Sequence, residues 1–200
     1  MAHLFPSPAF LSLPDSPITP GSPRDTNSPL GPSIDDDEPV GMLATIEENP
    51  YFTSSGFYRP RNKYELQKAV DLWCDDKEKA INQYRHISNW DTSLITDMSK
   101  LFYGKFKFND NINNWDTSSV TNMYAMFCGA ERFNQPLNTN TVNRNDGTTY
   151  TAWDVSSVTD LEAMFFRALK FNQPLNLWNV SNVIRMDEMF YYAELFNQNI

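Results

Sequence analysis

The sequence has few cysteines and no long apolar run. Its 200 residues include two cysteines, Cys74 and Cys128, which are too few for the disulfide framework of a small secreted domain. Neither has a Cys or His neighbour at the spacing of a metal site. Every apolar run is far shorter than the ~20 residues that cross a bilayer, and no basic segment opens the chain. We therefore expect no membrane span and no signal peptide, which leaves the location open but favours the cell interior over the cell surface.

Basic residues are nearly absent from the front of the chain. Of the 16 Lys and Arg, only Arg24 precedes Arg59, whereas 11 of the 13 prolines lie within the first 60 positions. Residues 1–58 carry eight acidic groups and one basic group, and residues 59–200 carry 17 and 15. Nucleic acid is therefore not an expected partner, because its phosphates need a basic face. We predict that residues 1–57 form a disordered acidic Pro/Ser-rich tail, since this composition buries too little apolar surface to fold.

Five Ser/Thr-Pro dipeptides lie in this tail. Proline-directed kinases read such dipeptides in extended chains, so they are candidate phosphorylation sites. Serine and proline are also the ordinary composition of disordered tails, and the sequence leaves both readings open. The dipeptides begin at Ser7, Ser16, Thr19, Ser22 and Ser28.

Two amphipathic patterns predict helices between residues 62 and 84. Asn62 and Glu65 have the spacing of a capping box, and Asp75 and Glu78 repeat that signal before a second, shorter stripe. The two apolar stripes comprise Leu66, Ala69, Val70, Trp73, Ala80, Ile81 and Tyr84. Such stripes more often cover a core than hold a cofactor. We therefore predict that residues 58–86 form a helical N-terminal cap on whatever follows.

A repeat fills the rest of the chain. Trp90, Trp115, Trp153 and Trp178 are separated by 25, 38 and 25 residues, and 38 is 25 plus an insertion of 13. Counted from each Trp as position 0, phenylalanine recurs at +12 and +18 and asparagine at +19. The recurring residues are Phe102, Phe127, Phe165 and Phe190, then Phe108, Phe133, Phe171 and Phe196, then Asn109, Asn134, Asn172 and Asn197. A fixed period of this length indicates units that stack on one another, because one unit alone buries too little to fold.

We predict an α/β fold, a leucine-rich-repeat-like solenoid of four 25-residue coils with a two-helix cap and a disordered tail. Positions +8, +11, +12 and +15 have the spacing of a helical face, and +22 to +26 resemble a short strand that pairs in parallel with its neighbours. The four Trp and the Asn at +19 are expected to be structural, the Asn as a buried ladder. The predicted coils are 87–112, 113–137, 151–175 and 176–200, with an insertion at 138–150.

Three motifs resemble a known repeat family. They are Asn-Trp-Asp-Thr-Ser-Ser-Val-Thr-Asn-Met at 114–123, Met-Phe-x-x-Ala at 126–130 and Phe-Asn-Gln-Pro-Leu at 133–137. They resemble the repeats of the BspA-like leucine-rich-repeat surface proteins, which are also known as mycoplasma lipoprotein-associated repeats. The resemblance covers about 87 to 200. It implies adhesion and protein binding, with no catalytic residue to carry over.

The insertion is the one interruption of the repeat. Asn145-Asp146-Gly147, with Thr and Val before it and Thr-Thr-Tyr after it, predicts a β-hairpin. Repeat proteins often bind through insertions that project from one face. Arg144, Asp146 and Tyr150 are therefore the candidate partner-binding residues. The alternative is a surface loop without a function, and the sequence does not separate the two.

Other candidates have simpler explanations. Carboxylates at +1 could hold calcium, but a Ser two residues later is ordinary turn chemistry. A Thr row at +6 suggests an ice-binding or glycan-binding surface, but it ends at Ile184. An enzyme would have to use His86, with Asp91 or Cys74, because the common hydrolase, phosphate-binding and zinc motifs are absent. The two rows are Asp91, Asp116 and Asp154, and Thr96, Thr121 and Thr159. We predict no catalytic residue, no metal site and no cofactor.

The sequence favours a non-enzymatic protein-binding module, for interaction or adhesion, whose protein partner it does not identify. The alternatives are a cell-surface adhesin exported by an unrecognised route and an enzyme that uses His86. The chain reaches Ile200 three residues before a fifth Trp would be due, with no polar cap. We expect either a longer natural protein or self-association through this open edge.

Overall fold

The structure is a computed structural model that describes residues 51–144 and 146–199. Its regular elements in these residues are two α-helices and one small sheet. The helices are α1 at Lys63–Asp75 and α2 at Lys77–Tyr84. A single turn of 3-10 helix at Ile87–Asn89 follows them. Neither α-helix of these described segments has the length and apolar character that crossing a bilayer requires.

The predicted tail lies mostly outside the described residues. This holds for residues 1–50 and for all five Ser/Thr-Pro dipeptides. Residues 51–57 are described, and they form a turn in which Thr53 N donates to Phe57 O (2.8 Å). Phe52 forms an isolated antiparallel bridge with Tyr58 and packs against the core. This turn therefore belongs to the packed part of the molecule.

The capping signal of α1 acts at the predicted residue. Asn62 Oδ1 accepts a hydrogen bond from Glu65 N (3.0 Å), which satisfies one free donor of the first turn. The Glu65 carboxylate accepts from Arg61 N (2.9 Å) instead of from Asn62, so the reciprocal bond reaches one residue further back. The predicted apolar stripe is buried: Leu66, Ala69, Val70 and Trp73.

Helix α2 begins one residue later than predicted. Its N-cap is Asp76, whose Oδ1 accepts from Lys79 N (3.0 Å). The rings of Trp73 and Tyr84 lie 6.0 and 6.2 Å from that of Trp90, at steep interplanar angles. The helix pair therefore packs on the first Trp of the repeats, in contact with the start of the repeat region.

The predicted α/β leucine-rich-repeat-like solenoid of four coils is wrong. Within the described residues after position 86 there is no α-helix, and the only strands are β1 at Asn140–Asn143 and β2 at Thr149–Ala152. These two strands pair antiparallel and lie in and beside the insertion, not in the repeats. The repeats themselves consist of successive turns.

Backbone conformation explains why the apolar spacing does not produce a helix. The residues at +10 and +14 have positive φ, as in Ala125 (51°) and Gly129 (72°), which a right-handed helix does not allow. The amide at +12 does not bond within its own repeat as a helix requires. Phe127 N instead donates to Met164 O (2.9 Å) in the next repeat. The side chains at +8, +11, +12 and +15 thus project from a backbone of successive turns, not from a helix.

Neighbouring repeats pair at +7, not at the predicted +22 to +26. The contact at +7 is a series of isolated parallel bridges without a continuous strand. Beyond it, amides at +8, +10, +12 and +14 donate to carbonyls of the following repeat. The bridge series is Asp97, Asn122, Asp160 and Arg185.

Two columns of stacked phenylalanine rings form the centre of the core. Successive +12 rings lie 5.3 to 5.6 Å apart with their planes within 7°. Successive +18 rings lie 5.7 to 6.0 Å apart with their planes within 9°. Within one repeat the two rings are 4.0 to 4.2 Å apart. These offset stacks fix the register of each repeat against the next.

Candidate functional site

The insertion forms the predicted β-hairpin. Strands β1 and β2 pair with Val142 opposite Tyr150 and Asn143 opposite Thr149. The connecting turn closes through Arg144 N donating to Thr148 O (2.7 Å). Gly147 has φ of 83°, a conformation that glycine adopts without the steric cost of a side chain. The Asn-Asp-Gly signal therefore identifies the turn correctly.

The hairpin is held against the second repeat by side-chain hydrogen bonds to the main chain. The Tyr150 hydroxyl donates to Asn114 O. The Asn140 amide donates to Asn113 O (3.1 Å). At the base of the hairpin, Thr139 Oγ1 donates to Trp153 O (3.0 Å). These contacts give the hairpin one fixed position beside the repeats.

A cavity of about 140 Å³ lies between the hairpin and the first two repeats. Arg144 and Tyr150 line it from the hairpin, and Asp91, Asp116 and Phe57 line it from the other side. The Arg144 guanidinium lies over the Tyr150 ring, with its central carbon 4.2 Å from the ring centroid. This cation–π contact orients the guanidinium at the mouth of the cavity.

The guanidinium of Arg144 is only loosely paired. Its Nη2 lies 3.6 Å from Asp116 Oδ2, which is beyond hydrogen-bond distance. No other acceptor among the described residues lies within hydrogen-bond reach, so all five of its N–H donors are available. The Arg144 side chain is 35% exposed and that of Asp116 is 10% exposed. An approaching molecule therefore meets the cation before the carboxylate.

The equivalent pair in the first repeat is tight. Asp91 Oδ2 accepts a hydrogen bond from Arg59 Nε (2.8 Å), and Arg59 Nη2 lies 2.7 Å from the same oxygen, so the ion pair is close. Burial pushes the pKa of Asp91 up, but the hydrogen bonds from Ser93 and Arg59 outweigh burial, and the pKa lies below its usual value. Asp91 is therefore saturated by its own chain, and Arg144 is the cation of the cavity that a ligand can use.

The three predicted binding residues do not all meet. Arg144 and Tyr150 are in contact, whereas Asp146 lies at the exposed tip of the turn and does not line the cavity. Asp146 Oδ1 accepts from Thr148 Oγ1 (2.6 Å) and Thr148 N (2.9 Å), and these bonds lower the pKa of Asp146. The geometry gives Asp146 a turn-forming contact and leaves partner binding by all three residues a prediction.

The asparagines at +19 form a hydrogen-bonded ladder at the surface. Asn134 N donates to Asn109 Oδ1 (2.9 Å), and Gln135 Nε2 donates to the same oxygen (3.0 Å). The same pair of bonds links each of the next two repeats. Asn109 and Asn197 are exposed and the two between them are half-buried, so the ladder is not buried as predicted. Each side-chain oxygen replaces a main-chain acceptor where the chain turns.

The tryptophans of the second, third and fourth repeats tie each of these repeats to an earlier one. The indole Nε1 of Trp115 donates to Ile87 O (2.9 Å), and that of Trp153 donates to Ile112 O (2.9 Å). Trp115 and Trp153 are fully buried and Trp90 nearly so, whereas Trp178 is half-buried. Burial of an indole requires a partner for its N–H, and the turn carbonyl supplies it.

The other polar rows bond within the chain. Asp116 Oδ1 accepts from Ser118 Oγ (2.6 Å), and Asp91 makes the same contact with Ser93. Within the part of the chain that the structure describes, no group of three His, Cys, Asp or Glu is placed to hold a metal ion. Along the Thr row, Thr121 Oγ1 donates to Thr96 O (3.2 Å). The Asp–Ser contacts match ordinary turn chemistry, and the Thr contact joins neighbouring repeats.

His86 caps the 3-10 turn. Its Nδ1 accepts from Ser88 N (3.3 Å) and lies 2.8 Å from Ser88 Oγ. Among the described residues, no hydrogen bond joins His86 to Asp91 or Cys74, the partners considered from the sequence. Burial raises the pKa of the Cys74 thiol to about 11, so the thiol is protonated at neutral pH.

Sequence reasoning missed half of the cavity. Asp91, Asp116 and Phe57 come from segments far from the insertion along the chain. The repeated Asp at +1 is the one signal in the sequence for this side of the cavity. A row of carboxylates beside a polar insertion indicates an ion pair with Arg144 of that insertion. Nothing in the sequence shows that the hairpin turns back onto the first two repeats.

Comparison with known protein families gives a match. A family model described as "Mycoplasma protein of unknown function, DUF285" matches residues 74–200, which include all the repeats and the insertion. No curated protein and no solved structure matches the chain. The family description states no activity.

Proposed function

We propose that this member of the DUF285 family of mycoplasma proteins of unknown function is a non-enzymatic protein-binding module. It contacts its partner through the β1–β2 hairpin. The observation that carries this proposal is the Arg144 guanidinium, which is stacked on Tyr150 and makes no hydrogen bond within the described residues. Arg and Tyr are enriched among the residues that dominate binding energy at protein interfaces.

The cavity geometry supports recognition of a protein side chain more than of a large ligand. A volume of about 140 Å³ is well below the ~300 to 1,000 Å³ of small-molecule sites. It has room for one side chain of a partner. The hydrogen bonds of Tyr150 and Asn140 to the second repeat fix the hairpin before binding, which reduces the entropy lost on association.

The contacts of the candidate catalytic groups support a non-enzymatic role. His86 hydrogen-bonds with Ser88, two residues away, and no described carboxylate orients its ring. The raised pKa of Cys74 disfavours the thiolate that a nucleophilic cysteine needs. We therefore keep the enzyme reading as the weaker alternative.

The resemblance to BspA-like surface proteins is part of this proposal. Its motifs, such as Phe-Asn-Gln-Pro-Leu at 133–137, imply adhesion or protein binding. If the protein is a surface adhesin, the hairpin would face an extracellular protein. Localisation of the tagged protein in its source cells separates an adhesin from an intracellular interaction module.

The test is affinity capture followed by a measured dissociation constant. The full chain serves as bait, the captured protein is identified, and its affinity is measured for the parent chain, Arg144→Ala and Arg85→Ala. Arg85 is an exposed arginine remote from the hairpin along the chain and serves as the matched control. We expect Arg144→Ala to weaken binding roughly 30-fold, as at an interface hot spot, and Arg85→Ala to have no effect.

Two results would contradict the proposal. Equal affinity of the parent chain and Arg144→Ala for every captured protein would remove the hairpin from the interface. Turnover of a substrate that disappears in His86→Ala would establish the enzyme reading instead. A variant in which residues 139–152 are shortened to the regular repeat spacing provides a second test of the hairpin.

A further inference from the structure

A column of basic residues crosses three repeats. The +17 position is occupied by Lys107, Arg132 and Lys170, which we call the basic ridge, and all three are exposed. We propose that the basic ridge is a second binding surface, separate from the hairpin cavity, and that it takes an acidic polypeptide segment of a partner protein.

Main-chain hydrogen bonds place the ridge residues beside one another. Arg132 N donates to Phe106 O (3.1 Å), and Lys170 N donates to Glu131 O (3.1 Å). Chains joined in this way lie about 5 Å apart. The +18 phenylalanines directly after the ridge residues stack at 5.7 and 6.0 Å, which holds the same spacing. The three charges therefore line up in a regular row.

None of the ridge cations has an internal ion-pair partner within the described residues. Two lysines elsewhere do, since Lys105 of the first repeat pairs with Asp71 at 2.8 Å and Lys77 of α2 pairs with Asp110. Like charges on directly opposite positions of neighbouring chains destabilise a fold. Lys107 Nζ lies over the Phe106 ring, 5.5 Å from its centroid, whereas Arg132 and Lys170 make no such contact within the described residues. A row of like charges with so little internal compensation is the kind of local conflict that marks a functional surface.

The chemistry of the row fits an acidic polypeptide better than nucleic acid. The ridge holds only three cations, with Glu131 beside them, and residues 59–200 carry 17 acidic and 15 basic groups. Nucleic acid requires a broad basic face that neutralises many phosphates. In an extended peptide, alternate side chains on one face recur every ~7 Å. Long Lys and Arg side chains spaced at about 5 Å can reach successive carboxylates of such a segment.

The test uses the full chain and a fluorescein-labelled decaglutamate peptide, with binding measured by anisotropy at low salt. The ridge variant Lys107→Gln/Arg132→Gln/Lys170→Gln is compared with Lys68→Gln/Lys79→Gln/Arg85→Gln, which removes the same two Lys and one Arg from exposed positions of the helical region. We expect the ridge variant to lose affinity roughly tenfold, from three exposed charge pairs, and the control to lose less than twofold.

A gain-of-affinity variant tests the same surface without weakening the fold. The fourth repeat has Leu195 at +17, where it is 50% exposed. Leu195→Lys extends the row by one charge, and we expect it to bind decaglutamate two- to fivefold more tightly. An unchanged affinity of this variant would overturn the proposal.

Three further results would also overturn it. The first is an equal loss of affinity for decaglutamate in the ridge and control variants, which would show that net charge alone causes the effect. The second is a loss in Arg144→Ala in place of the ridge variant. The third is tighter binding of a ten-nucleotide oligothymidylate than of decaglutamate, which would assign the surface to nucleic acid.

Discussion

The second and fourth repeats have the same pattern of apolar residues but a different degree of burial. At +8, Met123 is fully buried and Met186 is 39% exposed. At +12, Phe127 is fully buried and Phe190 is half-buried. Ile184, at the +6 position of the fourth repeat, is 82% exposed. The pattern therefore selects which side chains can be buried, and the neighbouring repeat decides whether they are.

Hydrogen bonding shows the same difference. In the second repeat, Met123 N and Ala125 N donate to the third repeat, each at 2.9 Å. Within the described residues, no main-chain carbonyl accepts from the equivalent amides of Met186 and Glu188. The contact between repeats thus supplies both apolar burial and main-chain hydrogen bonds. Self-association through the fourth repeat stays a prediction that these exposed groups motivate.

The largest expected effect is on the phenylalanine columns. Phe127→Ala removes a fully buried ring between two stacked neighbours and should lower the free energy of unfolding by about 4 kcal/mol. Phe190→Ala, at the same position of the fourth repeat, should cost less than half of that because the ring is already partly exposed. Urea unfolding measures both, and equal losses would show that burial does not depend on the neighbour.

The asparagine ladder should give a smaller difference. Asn134 Oδ1 accepts from Asn172 N and from Gln173 Nε2, both at 2.9 Å. Asn134→Ala leaves both donors without this acceptor and should cost about 1.5 kcal/mol. Asn197→Ala should cost under about 0.5 kcal/mol, since no described donor reaches its Oδ1. Thermal unfolding followed by circular dichroism measures the two variants, and a larger loss for Asn197→Ala would reverse the assignment.

The Arg59–Asp91 pair extends the comparison to pH. The pKa of Asp91 is lowered in the folded state, so the ion pair stabilises the fold at pH values above the unfolded pKa of ~3.9. This stabilisation is lost as pH falls through the lower folded pKa. Arg59→Gln should therefore be less stable than the parent by about 1 kcal/mol at pH 7, a value limited by the exposure of Arg59. The difference should shrink as pH falls through the folded pKa of Asp91.

Urea unfolding from pH 2 to pH 7 tests this dependence. Arg144→Gln is the matched variant in the second repeat, where the ion pair with Asp116 is 3.6 Å long, and it should show a smaller difference at every pH. A difference between Arg59→Gln and the parent that persists unchanged at pH 2 would mean that the guanidinium stabilises the fold by packing and not by charge.

The smallest expected effect concerns backbone strain at +14. The first two repeats have glycine there, and the third has Arg167 with φ of 57°. Arg167→Gly should raise the free energy of unfolding by about 0.5 kcal/mol, since relief of the left-handed conformation exceeds the entropy cost of glycine. Gly129→Ala should lower it by a similar amount. Thermal denaturation checks both, and a destabilising Arg167→Gly would contradict the strain.

The repeat register and the buried positions could be predicted from the sequence, but the backbone could not. The spacing of the Phe residues identifies the columns because identical side chains at a fixed period can contact each other. The helical spacing of +8, +11, +12 and +15 is misleading because Ala125 and Ala163 adopt positive φ. Alanine does this rarely, so its presence in the sequence does not predict the conformation. Glycine at Gly104 and Gly129 is the one local signal of this conformation.

One part of the candidate site could likewise be predicted from the sequence, and the other part could not. The hairpin could be predicted because Asn-Asp-Gly has local turn chemistry. The cavity could not, because Arg144 meets Asp116 only through the hydrogen bonds that turn the hairpin back on Asn114. Contacts between residues distant in the chain depend on the whole fold, and a single sequence carries little information about them.

The most direct test of the account is amide hydrogen exchange of the full chain, alone and with its captured partner. If the hairpin is the recognition site, the partner should slow exchange at Asn143, Arg144 and Tyr150. The amides of Met186 and Glu188, on the exposed side of the fourth repeat, should exchange at the same rate in both samples. Slower exchange confined to the fourth repeat, with an unchanged hairpin, would contradict protein binding through the cavity.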